Sequence, residues 1–194
     1  MNSCAKKLMS AAATFALAAT MTAATVVVAA PANTAGEQAL SRQQLTKKIR
    51  KELVTLPYYG VFDNLAYEIE GSTVTLYGQV VRPSTRSDAE RRVAKLSGVD
   101  RVVNQIEVLP LSSFDDTLRV QTYRTLFRTG GLHRYALGAN PSIHIVVNRG
   151  HVTLEGVVSG KMDRQLAEFA ARSVPGAFSV TNNLRLDNEV TRAR

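Results

Sequence analysis

Three histidines, one cysteine, a pair of adjacent acids and two basic clusters are the residues whose chemistry merits weighing first. His144 and His151 flank one candidate hairpin, with Glu155 across from His144, and His133 lies upstream. A zinc site needs side chains converging in tetrahedral geometry. All three histidines are instead expected on the polar face, since Ile143, Ile145 and Val147 take the other, so they read as solvent-facing polar residues rather than metal ligands. No Ser-His-Asp spacing, phosphate-binding loop or helical His-Glu-x-x-His appears. Asp115 and Asp116 read as charges at a helix start, where the dipole favours acids, and not as a general acid and base. The only cysteine, Cys4, precedes an apolar run. The reading is of a non-enzymatic chain that needs neither cofactor nor metal.

The basic side chains carry the functional signal. Lys47, Lys48, Arg50 and Lys51 fall on one candidate helix. Arg119, Arg124 and Arg128 fall on a second, followed by His133 and Arg134, and Tyr123, Phe127, Leu132 and Tyr135 interleave with them. Cations beside aromatic rings suit an anionic membrane surface, where each cation contributes about 1 kcal/mol and the rings settle at the headgroup level. The expected contact set is Arg119, Tyr123, Arg124, Phe127, Arg128 and Arg134, with Lys47, Lys48, Arg50 and Lys51 as a further basic face.

The elements that would position these residues begin after an N-terminal leader. Lys6 and Lys7, an apolar run from Leu8 to Ala30 without an acid, and Ala30-Pro31-Ala32 have the pattern of a secretory signal peptide over residues 1–32. Its removal takes Cys4 away and lowers the formal charge from +8 to about +6. Residues 33–40 are expected to be a flexible N-terminus and 188–194 a flexible tail. Export argues against nucleic acid as the acidic partner and places the mature chain in the periplasm. With 45% apolar residues, the composition excludes a disordered chain.

The rest of the sequence is written twice. Val74-Thr75-Leu76-Tyr77-Gly78-Gln79-Val80 returns as Val152-Thr153-Leu154-Glu155-Gly156-Val157-Val158, 78 positions on. The same offset pairs Arg86 with Arg164, Ala89 with Ala167, Glu90 with Glu168, Gly98 with Gly176, Val102 with Val180 and Asn104 with Asn182. Register held this long marks a duplicated module. In the first copy, Ser41-Arg42-Gln43-Gln44 has the form of a capping box, and Leu45, Ile49 and Leu53 line one helix face that Pro57 ends. Tyr67 and Ile69 alternate with Glu68 and Glu70 in a strand, and Gly71-Ser72 suits a type II′ turn. A helix over about 84–96 stops at Gly98, and a last strand covers 101–109. The second copy repeats this, with helices over about 116–128 and 161–173 and a Gly-rich connection over 130–141. Asn104 and Asn182 sit on the inward period of their strands and must find hydrogen bonds, most simply from a nearby loop backbone. The fold class is α+β: two tandem αββαβ modules, 41–110 and 115–187, each a three-stranded mixed sheet with two helices on one face. Small modules joined by a short linker are expected to pack on each other.

The recurring Val-x-Leu-x-Gly-x-Val at Val74–Val80 and Val152–Val158, with Gly98-Val99-x-x-Val102-x-Asn104 and Gly176-Ala177-x-x-Val180-x-Asn182, resembles the BON domain. Ala177 departs from the usual valine, Arg149-Gly150 replaces Gly71-Ser72, and the second copy has a longer helix-to-strand connection, which makes it the more specialised module. The resemblance implies osmotically induced periplasmic proteins and dual-BON outer-membrane lipoproteins, which bind phospholipid and protect the envelope under stress. Gly78, Gly98, Asn104, Gly156, Gly176 and Asn182 are then motif residues. The alternative implied function is a protein–protein module docking on an envelope complex.

Overall fold

In the computed structural model, residues 34–138 and 140–192 are described, and the expected signal segment lies outside them. Module 1 comprises α1 (Thr34–Val54), β1 (Asn64–Glu70), β2 (Thr73–Val80), α2 (Pro83–Val93) and β3 (Arg101–Val108). Module 2 comprises α3 (Ser113–Arg128), a 3-10 turn (Leu132–Ala136), β4 (Ile143–Asn148), β5 (His151–Val158), α4 (Lys161–Arg172) and β6 (Ser179–Leu186), followed by α5 (Asp187–Arg192). Each sheet has the order first-second-third strand, with an antiparallel hairpin and then a parallel pair. The parallel pair needs a crossover, which α2 and α4 supply. The two-layer αββαβ architecture read from the repeat is present in both halves.

Three local expectations change. α1 begins at Thr34, so Ser41 lies inside it and is not its N-cap, and residues 34–40 are helical rather than a flexible lead-in. Ala35, Glu37, Gln38, Ala39 and Leu40 are strong helix formers that let the helix extend upstream. Most of the expected C-terminal tail is the short helix α5. The hairpins also differ. Gly71 alone has positive φ in the first turn (60°), as a type II′ turn requires, whereas Arg149 (53°) and Gly150 (80°) both do in the second, the pattern of type I′.

Module 1 buries Leu45, Ile49 and Leu53 of α1 against Val74, Leu76 and Val80 of β2 and Ala89 and Val93 of α2. Module 2 buries Leu118 and Leu126 of α3, Ile143, Ile145 and Val147 of β4, Leu154 of β5, and Ala167, Ala170 and Ala171 of α4. The modules do pack on each other. Val61 and Phe62, in the segment entering β1, pack against the module 2 core. The Ile145 N–H donates to the Val61 carbonyl at 2.7 Å, which covers the edge of β4 with module 1 backbone. Val146 is also buried although it alternates with the core-facing residues of β4.

Candidate functional site

The recurring asparagines are structural clamps. Asn104 Nδ2 donates to the Arg86 carbonyl (3.2 Å) and to Glu90 (2.9 Å), and its Oδ1 accepts from the Ile106 N–H (3.1 Å). Asn182 repeats all three bonds with Arg164, Glu168 and Leu184. Each amide therefore ties its last strand to a helix backbone rather than to a loop. Hydrogen bonds from Asn182 and then Arg172 lower the Glu168 pKa, since both favour the carboxylate. Gly78 and Gly156 have φ of 118° and 123°, and a Cβ at either would run into the carbonyl of Asn64 or Ser142, where the first strand crosses closest. Gly98 and Gly176 take positive φ in the turns after α2 and α4.

The basic candidates divide. Lys47, Lys48, Arg50 and Lys51 are exposed along α1. On α3, Arg124 and Arg128 are exposed and make no ion pair among the described residues. Tyr123 stands partly exposed, edge-on to Phe127 (4.9 Å between centroids) and to Phe62 of module 1 (6.2 Å). Arg134 is exposed but committed: it pairs with Asp163, and its guanidinium lies over the Tyr135 ring.

Arg119 must be taken out of the expected contact set. Only 3% of it is exposed. Its Nη2 donates to the Val147 carbonyl at 2.7 Å, and its Nη1 bonds Asp116. Its place on the helix period puts it with Leu118, Thr122 and Leu126, facing the sheet. Asp115, one turn earlier, is fully buried. Its two oxygens accept the Arg149 and Gly150 N–H groups, both at 2.8 Å, so the helix start holds the β4–β5 turn. The Ser112 hydroxyl caps α3 by accepting from the Asp115 N–H.

His144 is a second correction. His133 and His151 are exposed, but His144 is half-buried at the module junction. Its Nδ1–H donates to the Gly60 carbonyl at 3.2 Å and its ring lies 5.6 Å from that of Tyr59. It pairs across the hairpin with Glu155, as the register predicts. Burial is the main cause of its lowered pKa. Nearby Asp63 is buried and accepts from the Val81 and Gly60 N–H groups, and burial raises its pKa despite those bonds. Alternation alone could not show that another module lies over this face.

Sequence reasoning also missed an apolar face. α3 and α4 run antiparallel: Phe114 at the start of α3 stacks on Phe178 beyond α4, while Arg134 and Tyr135, after α3, reach Asp163 in the first turn of α4. On α4, Met162 and Phe169 are 67% and 72% exposed, with half-buried Leu166 between them. These positions, spaced four and three apart, share one helix face. At the 78-residue offset module 1 has Ser84, Asp88 and Arg91. Comparing the copies position by position was the signal that could have found the stripe. Among the described residues, the exposed large apolar side chains concentrate between Leu111 and Phe178, and Tyr58 is the one from module 1. No described helix is long and apolar enough to cross a membrane.

A family model for the BON domain matches residues 41–110 and 132–188. Two solved structures of CdsD, a structural protein of the type III secretion system of Chlamydia trachomatis, are similar to this chain at low identity. One, of the C-terminal domain, is 14% identical over 77% of this chain and 67% of that chain, with a TM-score of 0.31. The other is 12% identical over 77% and 97%, with a TM-score of 0.29. No curated protein matches.

Proposed function

Since the chain belongs to the BON domain family, whose domains are envelope-associated and bind phospholipid, we propose that it is an exported periplasmic protein whose second module docks on anionic phospholipid and supports envelope integrity under stress. The observation that carries this reading is the helical layer of module 2. It presents Met162, Leu166 and Phe169 on α4, and Tyr123, Arg124 and Arg128 on α3, where module 1 has a polar α2. An exposed apolar stripe beside unpaired arginines matches an interface that is apolar below and anionic above. Arg124 and Arg128 bond lipid phosphates, Phe169 and Met162 enter the headgroup layer, and α1 adds a diffuse positive field from Lys47, Lys48, Arg50 and Lys51.

Vesicle co-sedimentation of the mature chain tests this. Vesicles containing phosphatidylglycerol should retain the protein better than neutral phosphatidylcholine vesicles, and raised salt should release it. Installing the module 1 residues in the doubly substituted Met162→Ser, Phe169→Arg chain should cut retention by about tenfold, in line with about 1.4 kcal/mol or more of lost apolar burial. Equal recovery from anionic and neutral vesicles would remove the reading. Capture of one saturable protein partner without lipid would favour docking on an envelope complex instead.

A further inference from the structure

A cleft of about 430 Å³ lies between the two modules, at a different place from the α3–α4 face. Arg50 and Leu53 of α1 and Tyr59 line it from module 1; His144, Glu155 and Arg185 line it from module 2. The last three lie on the face of the second sheet that carries no helices, since Ile145, Leu154 and Leu184 on the alternate positions enter the core.

The duplication supplies an internal control for that face. At the 78-residue offset, module 1 has Ala66, Tyr77 and Glu107 where module 2 has His144, Glu155 and Arg185. The acid has become a base at the one copy of the position that borders the cleft. Neither Arg185 nor Arg50 makes an ion pair or a side-chain hydrogen bond among the described residues, so packing does not account for them. One unpaired guanidinium thus comes from each wall. A planar carboxylate is matched by one such fork, whereas two forks from opposite sides suit an acceptor with oxygens pointing in several directions. Glu155, held by Asn183 at 2.7 Å, adds an acceptor for a hydroxyl or ammonium. His144 spends its Nδ1–H on Gly60 and borders the same space. Leu53 and the Tyr59 ring offer apolar contact. The volume suits a small ligand.

We propose that this cleft binds a phosphate ester that also carries a hydroxyl or amine donor, gripped by Arg50 and Arg185 with Glu155 receiving the donor. The same chemistry is found in soluble esters and in lipid headgroups. The proposal goes beyond the membrane reading and stands without it.

Calorimetric titration of the mature chain with glycerol 3-phosphate and with phosphoethanolamine, beside sedimentation with phosphatidylglycerol vesicles, tests it. Arg50→Gln and Arg185→Gln should each weaken binding of the soluble ester at least tenfold, and Arg185→Glu should abolish it, with melting temperatures unchanged. Loss in those variants of vesicle binding alone, without soluble binding by the parent chain, supports the site with the lipid headgroup as its source. The Met162→Ser, Phe169→Arg chain should keep its affinity for the soluble ester, which separates failure of the membrane reading from failure of this one. Absence of binding to the soluble esters and to the vesicles alike, or binding that both Arg→Gln variants retain, overturns the proposal.

Discussion

Two asparagines at matching positions show how a single side chain can explain several repeated residues. Asn104 needs the Arg86 carbonyl and the Glu90 carboxylate, and Asn182 needs those of Arg164 and Glu168. The paired identities at 86/164, 90/168 and 104/182 are therefore one clamp. Asn182→Ala and Asn104→Ala should each cost about 1–2 kcal/mol, because the Leu184 or Ile106 N–H and a helix carbonyl lose a partner. Urea unfolding, read as a lower midpoint at unchanged slope, measures it. The sequence made the amides conspicuous through their inward period. It could not say that a helix receives them, because the 18-residue separation from Arg86 is bridged only by the fold.

At the scale of elements, the hydrophobic period located the six strands and the four long helices of the duplicated part, but not the 3-10 turn at Leu132–Ala136 or the true start of α1. What it could not resolve was which polar residue of a helix turns inward. Asp115 looked like a charge favouring the start of α3, and it does lie in that first turn. It also reaches 34 positions along the chain to hold the Arg149-Gly150 turn. Asp115→Ala should destabilise the protein by about 3 kcal/mol, since two backbone donors are orphaned beside a buried cavity. A thermal melt checks this, and Asp115→Asn, which can satisfy only part of the pair, should fall between. Arg119 was misread for a related reason: helix periodicity in a basic, aromatic segment does not say which cation carries the buried stripe. The α4 stripe was legible by comparing Met162, Leu166 and Phe169 with Ser84, Asp88 and Arg91.

At the scale of the whole molecule, the junction is where sequence reading ran out, because it joins residues near 60 to residues near 145 without any repeated pattern. Its titration follows from burial. The lowered pKa of His144 means that the folded state prefers the neutral ring. That stability is complete above the ordinary value of 6.5 and is lost as pH falls through the lowered folded value. Asp63 runs the other way: its raised pKa favours the protonated form, with a contribution that is complete below 3.8 and lost as pH rises through the raised folded value. Glu155, Arg119 and Tyr59 supply the remaining nearby charges and dipoles. Between pH 7.5 and 5.5, a window that spans the ordinary value of 6.5, the histidine effect should lower the melting temperature. His144→Gln should melt with a smaller difference between those two pH values than the parent chain. An equal difference would remove His144 as the cause.

The backbone bond from Ile145 to Val61 has a consequence in time as well as in space. A chain is made from its N-terminus, and domains tend to fold in that order. For a chain exported as proposed, the segment around Val61 emerges before the strand it shields. The leading half then acts as a waiting partner for the trailing half, and the β4 edge bonded by the Val61 carbonyl is covered soon after it appears. Reversing the order of the two copies would keep every module intact and lose that protection.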